Sequence, residues 1–372
     1  MYVMPNNSSL NNAAKVKNDE FYTQYYDIEK EVNAYLEYNP DVFRGKTILL
    51  PCDDPEWSNF TLFFAQKFKD LGLKKLISTS YAVESKKYKF DYQPTLFETS
   101  SPNYDEIKTR CKGKIFTLDE DINGDGNLDF KDLKWQYLDK DGDFRSEEVT
   151  KLRDEADIII TNPPFSLFRE FLKWIMYGEK QFLILGNMNA ISYKETFPLL
   201  MHNKIWLGVV GGVKEYITLS GTKQKMGNTC WFTNIEHGRR HTPLNLMTME
   251  DNLKFSKHKE IKERNKYEQY ENYNAIEIPY TDAIPSDYIG IMGVPNSFLE
   301  KYCPEQFEIL GMCENLDLYN LKTKVYTSEE CKQAYFDKFN KKGVYDLNAS
   351  GVVIRNGLRE KVYQRILIRK KQ

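Results

Sequence analysis

A chain of 372 residues can hold one α/β catalytic domain plus a smaller appendage, and 41% hydrophobic content supports a real core. No apolar run approaches the roughly 18 residues of a membrane span, the polar start from Met1 to Lys17 lacks a secretory pattern, and the six cysteines stand singly with no C-x-x-C pair. These features argue against a membrane protein, a zinc site and a disulfide framework and for a reduced, cytoplasmic protein, while a formal net charge of −2 does not by itself announce a nucleic-acid partner.

Taken in chain order, Phe21-Tyr22-Thr23-Gln24 leads into a helix over Tyr25 to Glu37. Lys46 to Leu50 reads as the first strand. Ser58 is a candidate N-cap for a helix whose Phe60, Phe63, Phe64 and Phe68 recur at helical spacing and which Gly72 ends. Lys75 to Ser80 is a second strand. An acidic insertion follows, from about Thr99 to Glu148. Within it, Asp121, Asn123, Asp125, Asn127 and Asp129 fall at ligand positions of an EF-hand-type calcium loop, with Gly126 at the turn and Asp132 in the closing position. Asp is shorter than the usual closing glutamate, and no paired helices flank the loop. A calcium site and a solvated acidic turn therefore both stay open.

Asp157 to Thr161 then reads as a buried strand that runs into Asn162-Pro163-Pro164-Phe165. Three consecutive isoleucines suit a parallel strand covered on both faces. The prolines cannot continue a ladder and stiffen the turn. Such a turn sits at the carboxyl end of a sheet, where open α/β folds bind ligands. Asn-Pro-Pro alone is just a turn. With the strand before it and the aromatic after it, the segment suits transfer of a methyl group from S-adenosylmethionine to an amino nitrogen. An aromatic amine is a poor nucleophile because its lone pair is delocalised. The Asn162 side-chain oxygen and the Pro163 carbonyl are suited to accept its two N–H bonds, and Phe165 offers a face for stacking.

Leu167, Phe168, Phe171, Leu172, Ile175 and Met176 mark an amphipathic helix, with Ser166 as candidate cap and Gly178 as stop. Phe182 to Leu185, Ile205 to Val210 and Thr229 to Thr233 read as further strands. Trp231 and Phe232 are expected in the core. The alternation predicts an α/β domain with a mostly parallel, doubly wound sheet over 1–235, and a C-terminal substrate-recognition region is assigned over 236–372. Val362 to Ile368 is a candidate strand returning to a sheet. Basic runs gather in the second half, at His237 to His241, Lys254 to Lys266 and Arg365 to Lys371. Together they are compatible with a DNA-facing surface. Arg239 and Arg240 are candidate phosphate contacts, and His237 and His241 are expected at the surface.

Several segments occurring in one order carry a closer likeness. They are Phe21 to Gln24, Pro51-Cys52-Asp53-Asp54-Pro55-Glu56-Trp57-Ser58-Asn59-Phe60, Gly142 to Glu148, Asn162 to Glu170, Gly227 to Asn234 and His237 to His241. As a set they resemble the EcoRI-type adenine-specific DNA methyltransferases, over nearly the whole chain. The resemblance implies a Rossmann-like methyltransferase domain, S-adenosylmethionine as donor and adenine N6 in duplex DNA as acceptor. The base is expected to flip out because N6 is not reachable within a stack, and the expected context is a restriction-modification system whose cognate endonuclease acts on the same site without necessarily touching this protein. It implies that Phe21, Tyr22 and Thr23 and the turn Pro51, Cys52, Asp53 and Asp54 line the donor pocket. It also implies that Asp143 and Phe144 lie near the donor's adenine. Read without the family, Asp53 and Asp54 are candidates for the donor's ammonium and Ser58 for its carboxylate, in a turn that lacks the usual glycines.

Three other readings compete with this one. Pro51-Cys52 resembles the nucleophile of a cytosine-C5 methyltransferase, but Cys52 follows the first strand, and that chemistry leaves Asn162 to Phe165 unexplained. The acceptor could instead be RNA adenine, cytosine N4 or a protein amide. A non-catalytic DNA- or calcium-binding protein on the same scaffold is the third, and the intact Asn162 to Phe165 segment argues against it.

Overall fold

The structure is a computed structural model that describes residues 22–53, 58–82, 99, 101–211, 215–217, 223–225, 227–264 and 266–371, with the backbone alone at Tyr22, 215–217 and 223–225. Two compact units divide the chain. The first lies within residues 1–197 and 205–238, the second within 198–204 and 239–372.

In the first unit, strand β1 (Tyr22–Thr23) precedes helix α1 (Tyr25–Tyr38), which buries Ile28, Val32 and Tyr35 along one stripe. Strand β2 (Thr47–Leu50) is buried at every position. Helix α2 (Asn59–Gln66) starts at Ser58, whose hydroxyl accepts from the Phe60 N–H at 3.1 Å. A short further turn ends at Gly72, which takes the left-handed conformation expected of a helix stop. Strands β3 (Lys75–Ser80), β4 (Lys114–Leu118) and β5 (Lys134–Tyr137) follow, then helix α3 (Glu147–Glu155), capped by Ser146. Strand β6 (Ile158–Thr161), helix α4 (Phe168–Tyr177) and strand β7 (Gln181–Asn187) come next. The rest are β8 (Trp206–Leu207), β9 (Glu215–Ile217), β10 (Lys223–Lys225) and β11 (Thr229–Thr233).

The large sheet has the order β5-β4-β3-β2-β6-β7-β11-β8. Strands β3, β2, β6 and β7 are parallel neighbours, but β4, β5, β11 and β8 all join by antiparallel pairing. The sheet is therefore mixed α/β rather than mostly parallel. The acidic insertion does more than form a loop, because it supplies β4 and β5 to the sheet edge. Their alternating pattern, with Phe116, Leu118 and Trp135 inward, was hidden by charged neighbours. The strand expected over Ile205 to Val210 shrinks to Trp206–Leu207. Ser166 does not cap α4. A 3-10 turn over Phe165–Leu167 intervenes, and Leu167 opens the helix without a side-chain cap. Trp231 and Phe232 are in the core as expected. A second, three-stranded sheet pairs β1 with β9 and β9 with β10.

The second unit carries strands β12 (Ala275–Glu277), β13 (Ile291–Pro295), β14 (Phe307–Met312) and β17 (Arg365–Lys370) in the order β12-β13-β17-β14. The expected closing strand is thus real but starts at Arg365. A hairpin of β15 (Val352–Arg355) and β16 (Leu358–Lys361) and helix α5 (Ser328–Phe339) also belong to this unit. Its interior holds an ion pair. Arg365 Nη2 lies 2.7 Å from Glu277 Oε1, with the two side chains 8% and 1% exposed, and the Tyr270 hydroxyl donates to the same carboxylate.

Two stability predictions follow from these contacts. In Gly142→Ala the new Cβ, at φ +82°, would lie 2.3 Å from the Ser80 carbonyl oxygen. We expect a loss of roughly 2 kcal/mol or more in urea unfolding. Gly124→Ala, at φ +73° with nothing within 4 Å, should lose only about 1 kcal/mol, the cost of the left-handed backbone. Arg365→Met strands the Glu277 carboxylate and should cost about 3–5 kcal/mol. Equal midpoints for wild type and variant would contradict either account.

Candidate active site

The strand order makes β2 a switch point. The chain leaves β2 through α2 to β3 on one side, and β6 later returns parallel on the other side. The loops leaving the carboxyl ends of β2 and β6 therefore part from each other and leave a crevice, the usual ligand position in open α/β sheets.

Asp53 ties the two loops together. It is 5% exposed, and its carboxylate accepts from the Ser58 hydroxyl at 2.7 Å through Oδ1 and from the Thr161 hydroxyl through Oδ2. Its backbone carbonyl accepts from Ser78 Oγ and, at 3.3 Å, from Thr61 Oγ1. The Pro51 carbonyl accepts from Thr79 Oγ1 at 3.0 Å. Hydroxyls at the ends of β3 and β6 and in α2 thus hold the Pro51–Asp53 turn on both flanks. The carboxylate expected to meet a donor's ammonium is instead engaged by two hydroxyls of the protein. Cys52 beside it is half-buried. Asp54 and Phe21 lie outside the described residues, as does the Tyr22 side chain.

Asn162 directly follows Thr161, so the bond to Asp53 sets where the Asn162-Pro163-Pro164-Phe165 turn begins. Asn162 is half-buried, with its side-chain oxygen shielded from solvent. Pro163 is buried, and Pro164 closes the turn by accepting from the Leu167 N–H at 2.9 Å. Phe165 packs against the main core while keeping part of its surface exposed.

Thr23 joins the same region. Its carbonyl accepts from Asn59 Nδ2 at 2.8 Å, which fixes β1 to the first turn of α2. The Thr23 hydroxyl is buried and makes no hydrogen bond among the described residues, and neither does the Gln24 side-chain nitrogen. Buried polar atoms that the chain does not satisfy suit a polar ligand. Glu31 of α1 ties that helix to the segment just after β8. It is fully buried and accepts from the Val209 and Val210 N–H groups at 2.9 and 2.7 Å, and from the Tyr35 hydroxyl at 3.0 Å. Burial first, and the Glu31 carboxylate second, push the Tyr35 hydroxyl well above its ordinary pKa, so it stays protonated and donates.

Asp143 sits in a turn packed on the end of β3, where the Ala82 N–H donates to the Asp141 carbonyl at 2.7 Å. Oδ1 accepts from the Arg145 N–H and Nε at 2.8 and 2.9 Å, and Oδ2 accepts from Nη2 at 2.7 Å. Burial works to raise the Asp143 carboxyl, but Arg145 outweighs it and holds the group below its ordinary value. Phe144 is turned into the core, its ring 4.9 Å from Phe171 and 5.6 Å from Trp174, so any ligand contact would run through its backbone.

The structure does not support the calcium reading. Among the described residues no group of three or more His, Cys, Asp or Glu side chains is placed to hold a metal ion. The oxygens of the loop accept from its own backbone. Asp121 takes the Gly124 and Gly126 N–H groups, Asn123 that of Asp125, Asp125 that of Asn127, and Asp129 that of Lys131. Asn127, the remaining candidate, is exposed. Asp132 is fully buried and accepts from Ile122, Asn123 and Asp129, which together hold its carboxyl below the ordinary value.

Arg240 also departs from expectation. It is 7% exposed and donates to Asn203 Oδ1 at 3.0 Å, so it is an interior group and not a surface phosphate contact. Arg239 borders a cleft of about 270 Å³ in the second unit, with Lys301 and Thr281. His237 is buried rather than at the surface, its Nε2 3.0 Å from the Leu207 carbonyl. His241 is partly exposed, 2.8 Å from Glu305. Sequence reasoning missed Thr161 and Glu31. Thr161 had a readable signal, a hydroxyl closing an isoleucine run directly before Asn162. Glu31 is one acidic residue of a polar helix, and nothing local distinguishes it.

The model of the family described as "Adenine-specific methyltransferase EcoRI" matches residues 9–371. The chain is 39% identical over 328 residues to the Type II methyltransferase M.EcoRI of Escherichia coli, covering 84% of this chain and 91% of that protein. It is 31% identical over 337 residues to the Type II methyltransferase M.MpnI of Mycoplasma pneumoniae, covering 85% and 90%. It is 30% identical over 383 residues to the Type II methyltransferase M.MgeORF184P of Mycoplasma genitalium, covering 98% and 99%. No solved structure matches. No helix among the described residues is long and apolar enough to cross a membrane. A family match over nearly the whole chain, joined to a crevice that gathers Thr23, the Pro51–Asp53 turn and Asn162 to Phe165, makes this chain a member of the EcoRI family of adenine-specific methyltransferases.

Proposed function

We propose that the protein transfers a methyl group from S-adenosylmethionine to N6 of an adenine in duplex DNA, flipped out of the helix, within a restriction-modification system. The observation that carries the reading is the hydrogen bond between Thr161 and Asp53. It joins the turn proposed to meet the donor to the turn proposed to grip the acceptor.

The fold supports a Rossmann-like reading through its four parallel strands and the switch point at β2. The donor supplies an activated sulfonium methyl, so no covalent intermediate with the protein is required. The Thr23 hydroxyl and the Gln24 amide are the proposed polar contacts for the donor's amino-acid end. Asp53 is a brace for the turn, and the backbone of Pro51 and Cys52 faces the donor. Asp143 remains the proposed acceptor for the donor's adenine amino group. Its Oδ2 takes a single bond from Arg145 and has capacity for another.

An adenine inside a stack cannot present N6 to this crevice, so the base must leave the duplex. Asn162 Oδ1 and the Pro163 carbonyl then accept the two N6 hydrogens. That draws the lone pair out of conjugation and aims it. Phe165 stacks on the ring, and the proton lost from N6 after transfer passes to solvent. Catalysis rests on positioning and on fixed dipoles. The second unit is the proposed target-recognition region, with Arg239 at its cleft as a phosphate contact. A restriction endonuclease that cuts the same site is the proposed companion, with no contact between the two required.

Asn162→Ala should lower kcat about a hundredfold or more while leaving donor affinity intact, read by tritium transfer to DNA and by calorimetry. Retained turnover would remove Asn162 from the chemistry. Asp53→Ala should weaken donor binding and cut kcat together, on the order of tenfold each or more, because one side chain holds both turns. A loss in only one of the two would break the proposed coupling.

A further inference from the structure

The strand order puts the proposed donor turns and the β7 edge on opposite sides of the strand that ends at Asn162. The turns proposed to hold the donor lie at β2 and β3, on one side of β6. On the proposed reading the nucleotide reaches Asn162 over the other side, where β7 ends and β11 begins. That edge carries three carboxamides. β7 pairs with β6 at Thr161↔Ile184 and runs on to Asn187, and Asn187 pairs with Thr229, so Asn228 lies at the same edge. Asn189 follows in the turn after β7.

The three side chains are preorganised by each other. Asn228 Nδ2 donates to Asn187 Oδ1 at 3.3 Å and to Asn189 Oδ1 at 3.2 Å, and Asn187 Oδ1 also accepts from the Asn189 N–H at 2.9 Å. Both amide oxygens of Asn187 and Asn189 therefore take hydrogen bonds inside the triad. The Nδ2 groups of those two residues are the donors it does not use. Asn189 and Asn228 are exposed, and Asn187 is half-buried. Tyr193 ends the turn that contains Asn189, and exposed Arg169 stacks on its ring at 4.3 Å, which holds a cation on the helix that follows Phe165.

A surface that offers donors and a fixed cation suits acceptor-only groups. Base edges present both donors and acceptors, whereas phosphate and sugar oxygens present acceptors. We infer that Asn187, Asn189 and Asn228, with Arg169, bind the phosphodiester backbone flanking the flipped adenine and so hold the extruded nucleotide against Asn162. This inference rests on the proposed DNA-adenine reading and adds the residues that seat the strand.

The experiment uses the full chain and two labelled duplexes. One carries the site found by sequencing modified bases in cells that express the protein, and the other has that site scrambled. Asn187→Ala with Asn189→Ala should weaken binding to both duplexes about tenfold and leave the slope of affinity against salt unchanged, because neutral amides displace no counterions. Arg169→Gln should weaken both and flatten that slope by about one. Donor affinity, measured by calorimetry, should stay at the wild-type value in each variant. Unchanged DNA affinity with donor binding intact overturns the inference. A loss confined to the specific duplex also overturns it, because the triad would then read bases. If the double variant loses donor binding as well, Asn189→Ala alone, at an exposed turn position, decides by the same criteria. Failure of the wild type to label adenine in DNA would sink the underlying reading, whatever the variants do.

Discussion

One buried carboxylate organises the catalytic unit. Asp53 belongs to the loop after β2, but one of its carboxylate oxygens accepts from Thr161, at the end of a strand made more than a hundred residues later. A charged group taken out of water needs several donors to be tolerated. Here the donors are hydroxyls on three different elements, Ser58, Thr161 and, through the carbonyl, Ser78 and Thr61. Satisfying Asp53 therefore requires β2, β3, β6 and α2 to be in register at once. The same requirement fixes the start of the Asn162 turn relative to the Pro51 turn, so stability and alignment of the crevice come from one set of bonds.

A second circuit repeats the logic across the small sheet. Glu31 on α1 accepts the N–H groups of Val209 and Val210, β9 pairs with β1, and Thr23 of β1 is fastened to α2 by Asn59. Gly208 must be glycine for this to close, since a Cβ there would lie 2.2 Å from Glu31 Oε1. Both circuits use polar side chains that reach far along the chain, while the apolar residues beneath them supply the bulk of the burial. The Phe60, Phe63 and Phe64 face of α2 packs into the main core cluster, and Phe60 meets Trp231 of β11 edge-on at 6.0 Å.

What was legible in the sequence is what local rules govern. The isoleucine run of β6, the cap at Ser58, the stop at Gly72 and β3 read directly, because strand and helix boundaries depend on neighbours in sequence. The Asn162 turn stood out because two prolines after a buried strand leave few alternatives. Long-range facts were not legible. The antiparallel entry of β4 and β5 depends on pairing with β3, and their charged surroundings masked the alternation. The internal partners of Asp53 and Arg240 are hidden from sequence for a related reason. A carboxylate or guanidinium reads as ligand-facing until its internal partners, Ser58 and Thr161 or Asn203, are known. The acidic loop shows the same limit, since its spacing matches a metal loop while its oxygens turn to their own backbone.

The order of strands has a consequence for how the chain is made. β11 inserts between β7 and β8, although both of those precede it in sequence. As the polypeptide leaves the ribosome, β7 emerges with one row of amides and carbonyls uncovered, and β8 has no neighbour to join. Only when residues 229–233 arrive can that gap close, and Glu31, synthesised near the beginning, then finds Val209 and Val210 held in place. The nascent catalytic unit thus stays incomplete until almost its last residue, and a chain cut short before β11 would carry an open sheet edge that invites aggregation.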